Sequence, residues 1–250
     1  MNARGEALES PAFGPRAATA QLALLGGFEL RLYGKPVTLP HGAQRLISFL
    51  ALRRRALMRL FVAGSLWTDA TESQANSSLR SALWRARADA PVIDATSTHL
   101  SLAPWVEVDV AGSAALLKRL LDDATPPEAE EVLALSEAGD LLPDWYDDWL
   151  IVERERERQR RLHSLEAACL RLAGARRYAE AIEAGLAAVA VEPLRDSAHC
   201  AVIRAHLAEG NLVEASRQYV QFRDMLREHL GTVPSPQMHG LLRQAHATAG

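Results

Sequence analysis

Residues 22–39 consist of short apolar runs separated by turn-forming residues, and apolar side chains occupy every second position over 28–32. Such alternation is typical of β-strands with one buried face. Gly26-Gly27 and Tyr33-Gly34-Lys35-Pro36 interrupt the runs and favour tight turns. The pattern therefore predicts a small antiparallel meander over this segment.

Helical spacing of apolar residues replaces the alternation after Pro40. It predicts a first helix over about 42–53 and a short second helix within 58–67. The polar turn 68–71 then leads into a third helix over 72–90, which carries the stretch that is most informative about function.

This third helix has two chemically different faces. At about 100° per residue, one face holds the apolar residues Ala75, Leu79, Ala82, Leu83 and Ala86. The opposite face holds Ser77, Arg80, Ser81, Trp84 and Arg85, with Arg87 on its flank. Guanidinium groups bind phosphate oxygens and guanine edges, and small serines let a helix approach a DNA groove. Although such a face is more often merely solvated, we predict a DNA-recognition helix in which Arg87 contacts a phosphate rather than a base.

The segment after this helix gives that interpretation its context. Val92-Ile93 and Leu100-Ser101-Leu102 are apolar runs on either side of the polar turn 94–99, which predicts a hairpin. Three helices followed by a hairpin is the order of a winged helix. We expect Thr98 and His99, at the tip of this wing, to reach the adjacent DNA backbone or minor groove. A tip that only closes the hairpin is the alternative.

Two alanine-rich segments of the second half align at an offset of 34 residues, with 177–181 falling on 211–215. This is the tetratricopeptide period, and it predicts stacked helix pairs whose concave surface binds protein segments. Because two repeats are too few for a stable core, flanking helices are expected to complete it, over about 109–122, 128–138, 147–173 and 236–247.

The two repeats differ at the positions that the motif reserves for small residues and proline. The first copy fits the motif at Cys169, Tyr178, Ala181, Ala188 and Pro193. The second copy fits at Leu212, Ala215 and Tyr219 but has Ile203, Phe222 and Arg227 in place of the small residues and the proline. Since small residues allow close helix approach, the second repeat is expected to pack more loosely or against a different neighbour. Cys169 and Cys200 are expected to be buried rather than bridged.

The charged run ERERERQRR, residues 153–161, offers pairs of opposite charge at three- and four-residue spacings. Each such pair contributes only about 0.2–0.5 kcal/mol to a helix, so the run predicts a solvated helix face. Trp145, Tyr146 and Trp149 precede it and are expected to anchor the start of this helix in the core or at an interdomain surface.

Composition and charge favour two domains of different character. The chain has 250 residues, 48% of them hydrophobic, which is enough for two cores. Residues 1–105 hold 12 basic and 7 acidic side chains, a net charge of +5, whereas residues 106–250 hold 16 and 24, a net charge of −8. We therefore predict a disordered tail over 1–20, an α+β winged-helix domain over 21–105 that contacts nucleic acid, and an all-α TPR-like domain over 106–250.

Two stretches resemble a known family. The meander, the three helices with LWTDATESQANSSLRSALWRAR and the hairpin resemble the winged helix of the Streptomyces antibiotic regulatory proteins (SARP). GDLLPDWYDDWLIVERERERQRRLHSLEAA, residues 139–168, resembles their bacterial transcriptional activator domain (BTAD). The resemblance implies a transcriptional activator that binds double-stranded promoter DNA, commonly at direct repeats, and recruits RNA polymerase. A homodimer on DNA is compatible with this.

Two features depart from the resembling family. Arg53-Arg54-Arg55 occupies the turn between the first two helices, where relatives more often have a neutral loop. These arginines either add phosphate contacts or only raise solubility. Trp84 on the outward face either stacks on sugar or base methyl groups or docks on the second domain.

Enzymatic and membrane functions are not supported by any motif. Gly34-Lys35 stands alone without a phosphate-binding loop, and the closest histidine pairs are seven residues apart, which is too far for a two-ligand zinc motif. We expect no catalytic residue, no cofactor and no metal. No segment approaches about 18 uninterrupted apolar residues, so we expect a cytoplasmic protein without membrane contact.

The alternative function is a TPR-like protein-interaction scaffold whose winged helix does not bind DNA.

Overall fold

The computed structural model describes residues 20–122 and 125–248, so nearly all of the expected disordered tail, 1–20, lies outside the described residues. These residues form two compact units. The first contains 20–22 and 29–107, and the second contains 23–28 and 108–248. The predicted fold class is confirmed, because a small α+β unit with the winged-helix order is followed by a unit built from helices.

The first unit alternates short strands with three helices. Its strands are β1 (Ala20–Ala23), β2 (Glu29–Leu32), β3 (Lys35–Val37), β4 (Leu57–Met58), β5 (Ile93–Ala95), β6 (His99–Leu102) and β7 (Val106–Val108). Its helices are α1 (His41–Arg53), α2 (Arg59–Leu66) and α3 (Glu72–Asp89).

These strands form two sheets, one in the order β3-β2-β1-β7 and one in the order β4-β6-β5. β2 and β3 are antiparallel, and the predicted turn between them is made by Tyr33 and Gly34 at φ values of 50° and 77°. The predicted wing is β5 and β6, with Ile93 opposite Leu102. Its turn is shorter than expected, since His99 belongs to β6 and pairs with Met58 of β4.

Helix α3 has the amphipathic character that its sequence predicts. All five residues of its apolar face are buried: Ala75, Leu79, Ala82, Leu83 and Ala86. They share the core with fully buried residues of α1, among them Leu46, Ile47, Phe49 and Leu50. A capping box starts the helix, because Thr71 Oγ1 accepts a hydrogen bond from Gln74 N and Gln74 Oε1 accepts one from Thr71 N. The orientation of α3 about its own axis is therefore fixed by its buried side.

The second unit consists of helices at the predicted places. They are α4 (Asp109–Asp122), α5 (Ala129–Glu137), α6 (Asp148–Gly174), α7 (Tyr178–Val191), α8 (Asp196–Glu209), α9 (Leu212–Leu230) and α10 (Pro236–Thr248). The first residues of α7 and α9 are Tyr178 and Leu212, so the helix pairs repeat at the predicted period of 34 residues. None of the helices in residues 20–122 and 125–248 is long and apolar enough to span a membrane.

The first repeat packs closely around Gly185 of α7. A Cβ atom at this position would lie 2.7 Å from Val202 Cγ2 and 3.1 Å from Cys169 Sγ. Cys169 and Cys200 are free and buried, as expected, and burial raises the pKa of each thiol to about 12. Close helix approach at this small residue agrees with the motif.

The second repeat has its own hydrophobic cluster. Ile203 and Phe222, which replace the small residues of the motif, are fully buried together with Met238 of α10. The expectation that this repeat meets a different neighbour is confirmed, since α10 supplies part of its core.

A short segment before β2, residues 23–28, belongs to the second unit and is here called the strap. The amides of Leu24 and Leu25 donate to Asp109 Oδ2 at 2.8 and 2.9 Å. Gly26 N donates to Asp140 O at 2.8 Å, and the ring of Phe28 stacks on that of Trp145. The Gly26-Gly27 turn of the predicted meander is therefore a chain segment held by α4 and by the loop before α6.

The prediction that 153–161 forms a solvated face is wrong for part of this run. Glu153 and Glu157 are only 5% and 6% exposed. Glu157 is buried because Ser113 of α4 donates a hydrogen bond to its Oε1 and Arg160 donates to its Oε2. Buried carboxylates need such partners, and the contact with Ser113 joins residues that are 44 positions apart in sequence.

The three aromatic residues around the start of α6, Trp145, Tyr146 and Trp149, behave differently from one another. Trp145 and Trp149 are half-buried, and the indole of Trp149 donates to Asp147 Oδ1 at 3.2 Å. Tyr146 is 95% exposed, so the expectation that it anchors the helix is wrong. The backbone carbonyls of this loop are instead held by Arg154, which donates to Leu141 O, Leu142 O and Trp145 O.

Candidate DNA interface

The exposed face of α3 brings together the six helix residues that the sequence singles out. Trp84 is 72% exposed, and the others are exposed as well: Ser77, Arg80, Ser81, Arg85 and Arg87. Within residues 20–122 and 125–248, none of the three guanidinium groups forms an ion pair or a hydrogen bond. Their charge and their hydrogen-bond donors are therefore free to meet an external anion.

The two serines of this face are linked by a hydrogen bond within the helix. Ser81 Oγ donates to Ser77 O at 3.1 Å, so its proton is used within the helix. Its oxygen lone pairs remain at the surface. The small side chains leave the surface low at Ser77 and Ser81 themselves, beside the exposed Trp84.

The tip of the wing is held by its own hydrogen bonds. Thr96 Oγ1 accepts from Thr98 N at 3.3 Å and from His99 N at 2.9 Å. Thr98 Oγ1 and His99 Nδ1 are 2.9 Å apart, and both side chains are exposed. The two wing residues predicted from the sequence thus form one hydrogen-bonded pair.

Arg59 braces the wing, a role that the sequence pattern does not reveal. Its amide donates to Thr98 O at 2.9 Å, and its Nη1 donates to Thr96 O at 3.1 Å. The strand β4, which directly precedes α2, pairs with β6 in the same place. A two-residue strand is too short for alternation to be detected in the sequence. The support of the wing by Arg59 and β4 is therefore seen only in the structure.

The three arginines 53–55 are not equivalent. The guanidinium of Arg53 lies 5.0 Å from the centre of the Phe49 ring, which is a cation–π contact. Arg54 caps α1 in the left-handed conformation at φ 49°, and its amide donates to Leu50 O. The side chains of Arg54 and Arg55 are exposed. Arg54 and Arg55 therefore offer their charge outward to a polyanion, whereas the guanidinium of Arg53 lies against the Phe49 ring.

Comparison with known proteins agrees with both halves of this description. The sequence model of the bacterial transcriptional activator domain matches residues 114–245, which is more than half of the chain. Among solved structures, the chain is similar to Mycobacterium tuberculosis EmbR in complex with a low affinity phosphopeptide, with a TM-score of 0.73 and 19% sequence identity. The similarity covers 92% of this chain but 65% of that chain, so the present chain spans less than two thirds of its length. Comparison with curated proteins finds no match.

These findings confirm the resemblance drawn from the sequence. The family match falls on the half that contains 139–168, the segment that carries the resemblance to the activator domain. The structural similarity extends over the winged helix as well as the helical repeats. At this level of identity it establishes the fold and not the ligands of this chain.

Proposed function

The chain belongs to the family of proteins with a bacterial transcriptional activator domain, and from this premise we propose that it is a transcriptional regulator that binds specific DNA sequences through α3. The observation that carries the proposal is the exposed face of α3, on which Arg80, Arg85 and Arg87 have no intramolecular partner within the described ranges. Unpaired arginines on one helix face match the phosphates and guanine edges of a major groove.

Each side chain of the interface has a defined role in this proposal. Arg80 and Arg85 contact base edges, because they lie on either side of the serines of the exposed face, and Arg87 contacts a phosphate from its flank. Ser77 and Ser81 allow close approach of the backbone. Trp84, which is 72% exposed, packs on sugar or on base methyl groups when DNA covers it.

The wing contributes a second point of contact. Thr98 and His99 reach the phosphate backbone or the minor groove next to the site of α3. Since Arg59 and β4 hold this tip, the wing is presented to DNA with little conformational freedom. Contacts of this kind fix register more than they select sequence.

The finer parts of the proposal follow from the family. Proteins with this domain activate transcription, so the second unit is proposed to contact RNA polymerase while the first binds promoter repeats. Two copies of the chain on a direct repeat would then form a dimer on DNA.

A binding assay on the full chain tests the DNA contact directly. Fluorescence anisotropy is measured with duplex DNA from the promoter region upstream of the chain's own gene, at physiological salt. Arg80→Ala and Arg85→Ala are each expected to weaken binding by about 5- to 150-fold, as the loss of one bidentate base contact does. Arg31→Ala, which removes an exposed arginine of β2 that is paired with Glu29, is the control. Equal binding by wild type and both α3 variants would refute the assignment of the recognition helix.

A protein-interaction scaffold is the second candidate, favoured by the stacked helix pairs α6 to α9, which repeat with the tetratricopeptide period. It predicts that partner proteins bind the second unit while duplex DNA binds only weakly and without sequence preference. Competition by unrelated duplex in the same assay separates the two candidates, since a sequence-specific regulator retains its labelled promoter under that competition.

A further inference from the structure

A cavity of about 980 Å³ lies within the second unit, and every residue that lines it belongs to that unit. The strap, α4, α5 and α6 each contribute to its wall, through Leu25, Gly112, Ala134 and Ile151 among others. Pockets that hold small organic molecules have volumes of about 300–1,000 Å³. The cavity is therefore large enough for an organic ligand rather than for a few water molecules.

Most of this wall is apolar. Leu116, Leu135 and Leu141 are buried residues that line the cavity. Ile151, which is 63% exposed, lies where an occupant would cover it. Burial of such surface is favourable by about 25 cal/mol per Å², so the wall selects an occupant with an apolar body.

Arg161 supplies hydrogen-bond donors at one side of the cavity. Its Nε donates to Leu135 O at 2.9 Å and its Nη2 donates to Ser136 O at 2.8 Å. Its Nη1 has no hydrogen-bond partner in the described part of the chain. Burial lowers the pKa of Arg161, while the carboxylates of Asp140 and Glu157 act in the opposite direction. The guanidinium is thus held in place by backbone carbonyls and still has N–H groups to offer.

Asp140 supplies an acceptor on the same wall. Its side-chain carboxylate accepts no hydrogen bond from the residues that the structure describes, and its charge acts on Arg161. Glu157 is less accessible to a ligand, because it is only 6% exposed and Ser113 and Arg160 already donate to its two oxygens. The cavity therefore combines free donors on Arg161 with a free acceptor on Asp140.

The charge of the lining restricts the occupant further. Among the described residues that line the cavity, five are acidic and three are basic. Two of the basic groups are occupied, because Arg154 donates to backbone carbonyls and Arg158 pairs with Glu155 and Glu192. Three of the acids are also paired, because Glu131, Glu155 and Glu157 form salt bridges with Arg119, Arg158 and Arg160. The lining charges that remain are two acidic and two basic, so the cavity offers no net charge to an ionic ligand. We propose that this cavity binds a neutral small molecule with an apolar body and a polar end that both accepts and donates hydrogen bonds, as an amide or a hydroxy-carbonyl group does.

The strap connects this cavity to the strands of the first unit. Asp109 and Asp140, which hold the strap by hydrogen bonds, also line the cavity. The strap continues directly into β1 at one end and β2 at the other, and both strands belong to the sheet of the first unit. An occupant that shifts the strap is therefore expected to change DNA affinity, a consequence that rests on the proposed function.

The binding itself is tested without DNA. The full chain is titrated with Nile red, and its fluorescence is followed. This uncharged dye tests the apolar body and the hydrogen-bond acceptor of the proposed ligand, because it has a carbonyl group and no N–H or O–H donor. Saturable binding of one dye molecule is expected, and Gly112→Leu and Ala134→Leu, which fill the cavity from α4 and α5, should each weaken it by roughly tenfold or more. A Cβ at Gly112 meets no atom within 4 Å, so the first atom of the added side chain causes no clash with the fold. Gly240→Leu in α10, equally unobstructed, is the matched control and should bind as the wild type does.

Three results would overturn the proposal: no saturable binding, equal binding by the filled variants, or tighter binding of the anionic dye anilinonaphthalene sulfonate at the same cavity. Promoter binding is then measured with and without Nile red. A chain that binds dye but not DNA contradicts the proposed function and leaves the ligand site supported. A chain that binds DNA but not dye overturns the ligand site alone.

Discussion

Gly26 of the strap and Gly139 of the loop before α6 are packed backbone against backbone. A Cβ atom on Gly139 would lie 2.6 Å from Gly26 Cα and 2.8 Å from Gly26 N. Gly26 itself adopts a φ of 81°, in the region that favours glycine. Two glycines distant in sequence are thus required at one contact, and this contact brings the strap close enough for Gly26 N to donate to Asp140 O.

Substitution of Gly139 by alanine is therefore expected to loosen the strap. Because the added methyl group meets backbone rather than a flexible side chain, Gly139→Ala should lower the free energy of unfolding by about 1–3 kcal/mol. The amide protons of Leu24 and Leu25, which are bonded to Asp109, should exchange faster. Urea denaturation and hydrogen–deuterium exchange measure the two effects.

The matched control is Gly112→Ala in α4 of the same unit. A Cβ there meets no atom within 4 Å, so alanine should raise stability by up to about 1 kcal/mol through its higher helix propensity. If Gly139→Ala is as stable as the wild type, the close backbone contact does not exist in solution.

The strap also shows where local sequence patterns fail. Gly26-Gly27 has the composition of a hairpin turn, and its place in the second unit depends on Asp109 and Gly139, more than eighty residues away. Burial of Glu157 by Ser113 is another long-range contact, which spacing within 153–161 does not reveal. Short strands such as β4 and β7 contain too few residues for alternation to be recognised.

Long periodic helices were predictable for the opposite reason. In α3, helical periodicity alone separates the buried Ala75 and Leu79 from the exposed Arg80 and Trp84. The face of the candidate DNA interface could therefore be predicted from the sequence. The brace between Arg59 and the wing could not, because it joins a helix start to a turn 37 residues later.

Gly185→Ala tests the close packing of the first repeat. The added Cβ would meet Val202 Cγ2 at 2.7 Å and Cys169 Sγ at 3.1 Å, which should destabilise the second unit by about 1–3 kcal/mol. Val202→Ala removes the nearest obstructing atom, so the double variant should be less destabilised than the sum of the single variants. Strict additivity in chemical denaturation would show that the two side chains do not compete for space.

Thr71→Ala tests the start of α3. The substitution removes the side-chain oxygen that accepts from Gln74 N, and it should cost about 0.5–2 kcal/mol in unfolding experiments. Thr71→Ser keeps the hydroxyl and should retain most of the stability. Equal loss in both variants would place the effect in the methyl group rather than in the cap.

Arg87 and Arg80 are expected to differ in how they affect DNA binding. Arg87→Ala should weaken binding to all sequences alike and reduce the slope of log affinity against log salt by about 1, as the loss of one phosphate contact does. Arg80→Ala should instead reduce the preference for the promoter over unrelated duplex. Anisotropy titrations at several salt concentrations with both duplexes measure slope and preference. If Arg80→Ala changes the salt slope and Arg87→Ala changes the sequence preference, then Arg80 contacts the phosphate and Arg87 contacts the base.

His199 makes the second unit sensitive to pH. Its ring stacks on Phe222 with a centroid distance of 4.0 Å and is only 1% exposed. Pro193 O can only accept, so Nε2 carries the proton of that 2.9 Å hydrogen bond, and Nδ1 accepts from Gln218 Nε2. With the Gln218 amide in this orientation, the ring is neutral.

Burial lowers the pKa of His199 below its ordinary value of 6.5, although the Pro193 carbonyl and the charge of Asp196 oppose the effect. Below pH 6.5 the unfolded chain therefore binds a proton that the folded chain does not, and stability falls as the pH falls towards the folded pKa. His199→Gln lacks this proton equilibrium. The stability difference between wild type and His199→Gln should be constant above about pH 7.5 and should shrink on acidification. Urea denaturation from pH 8 to pH 5 measures it, and a pH-independent difference would show that His199 does not titrate between the two states.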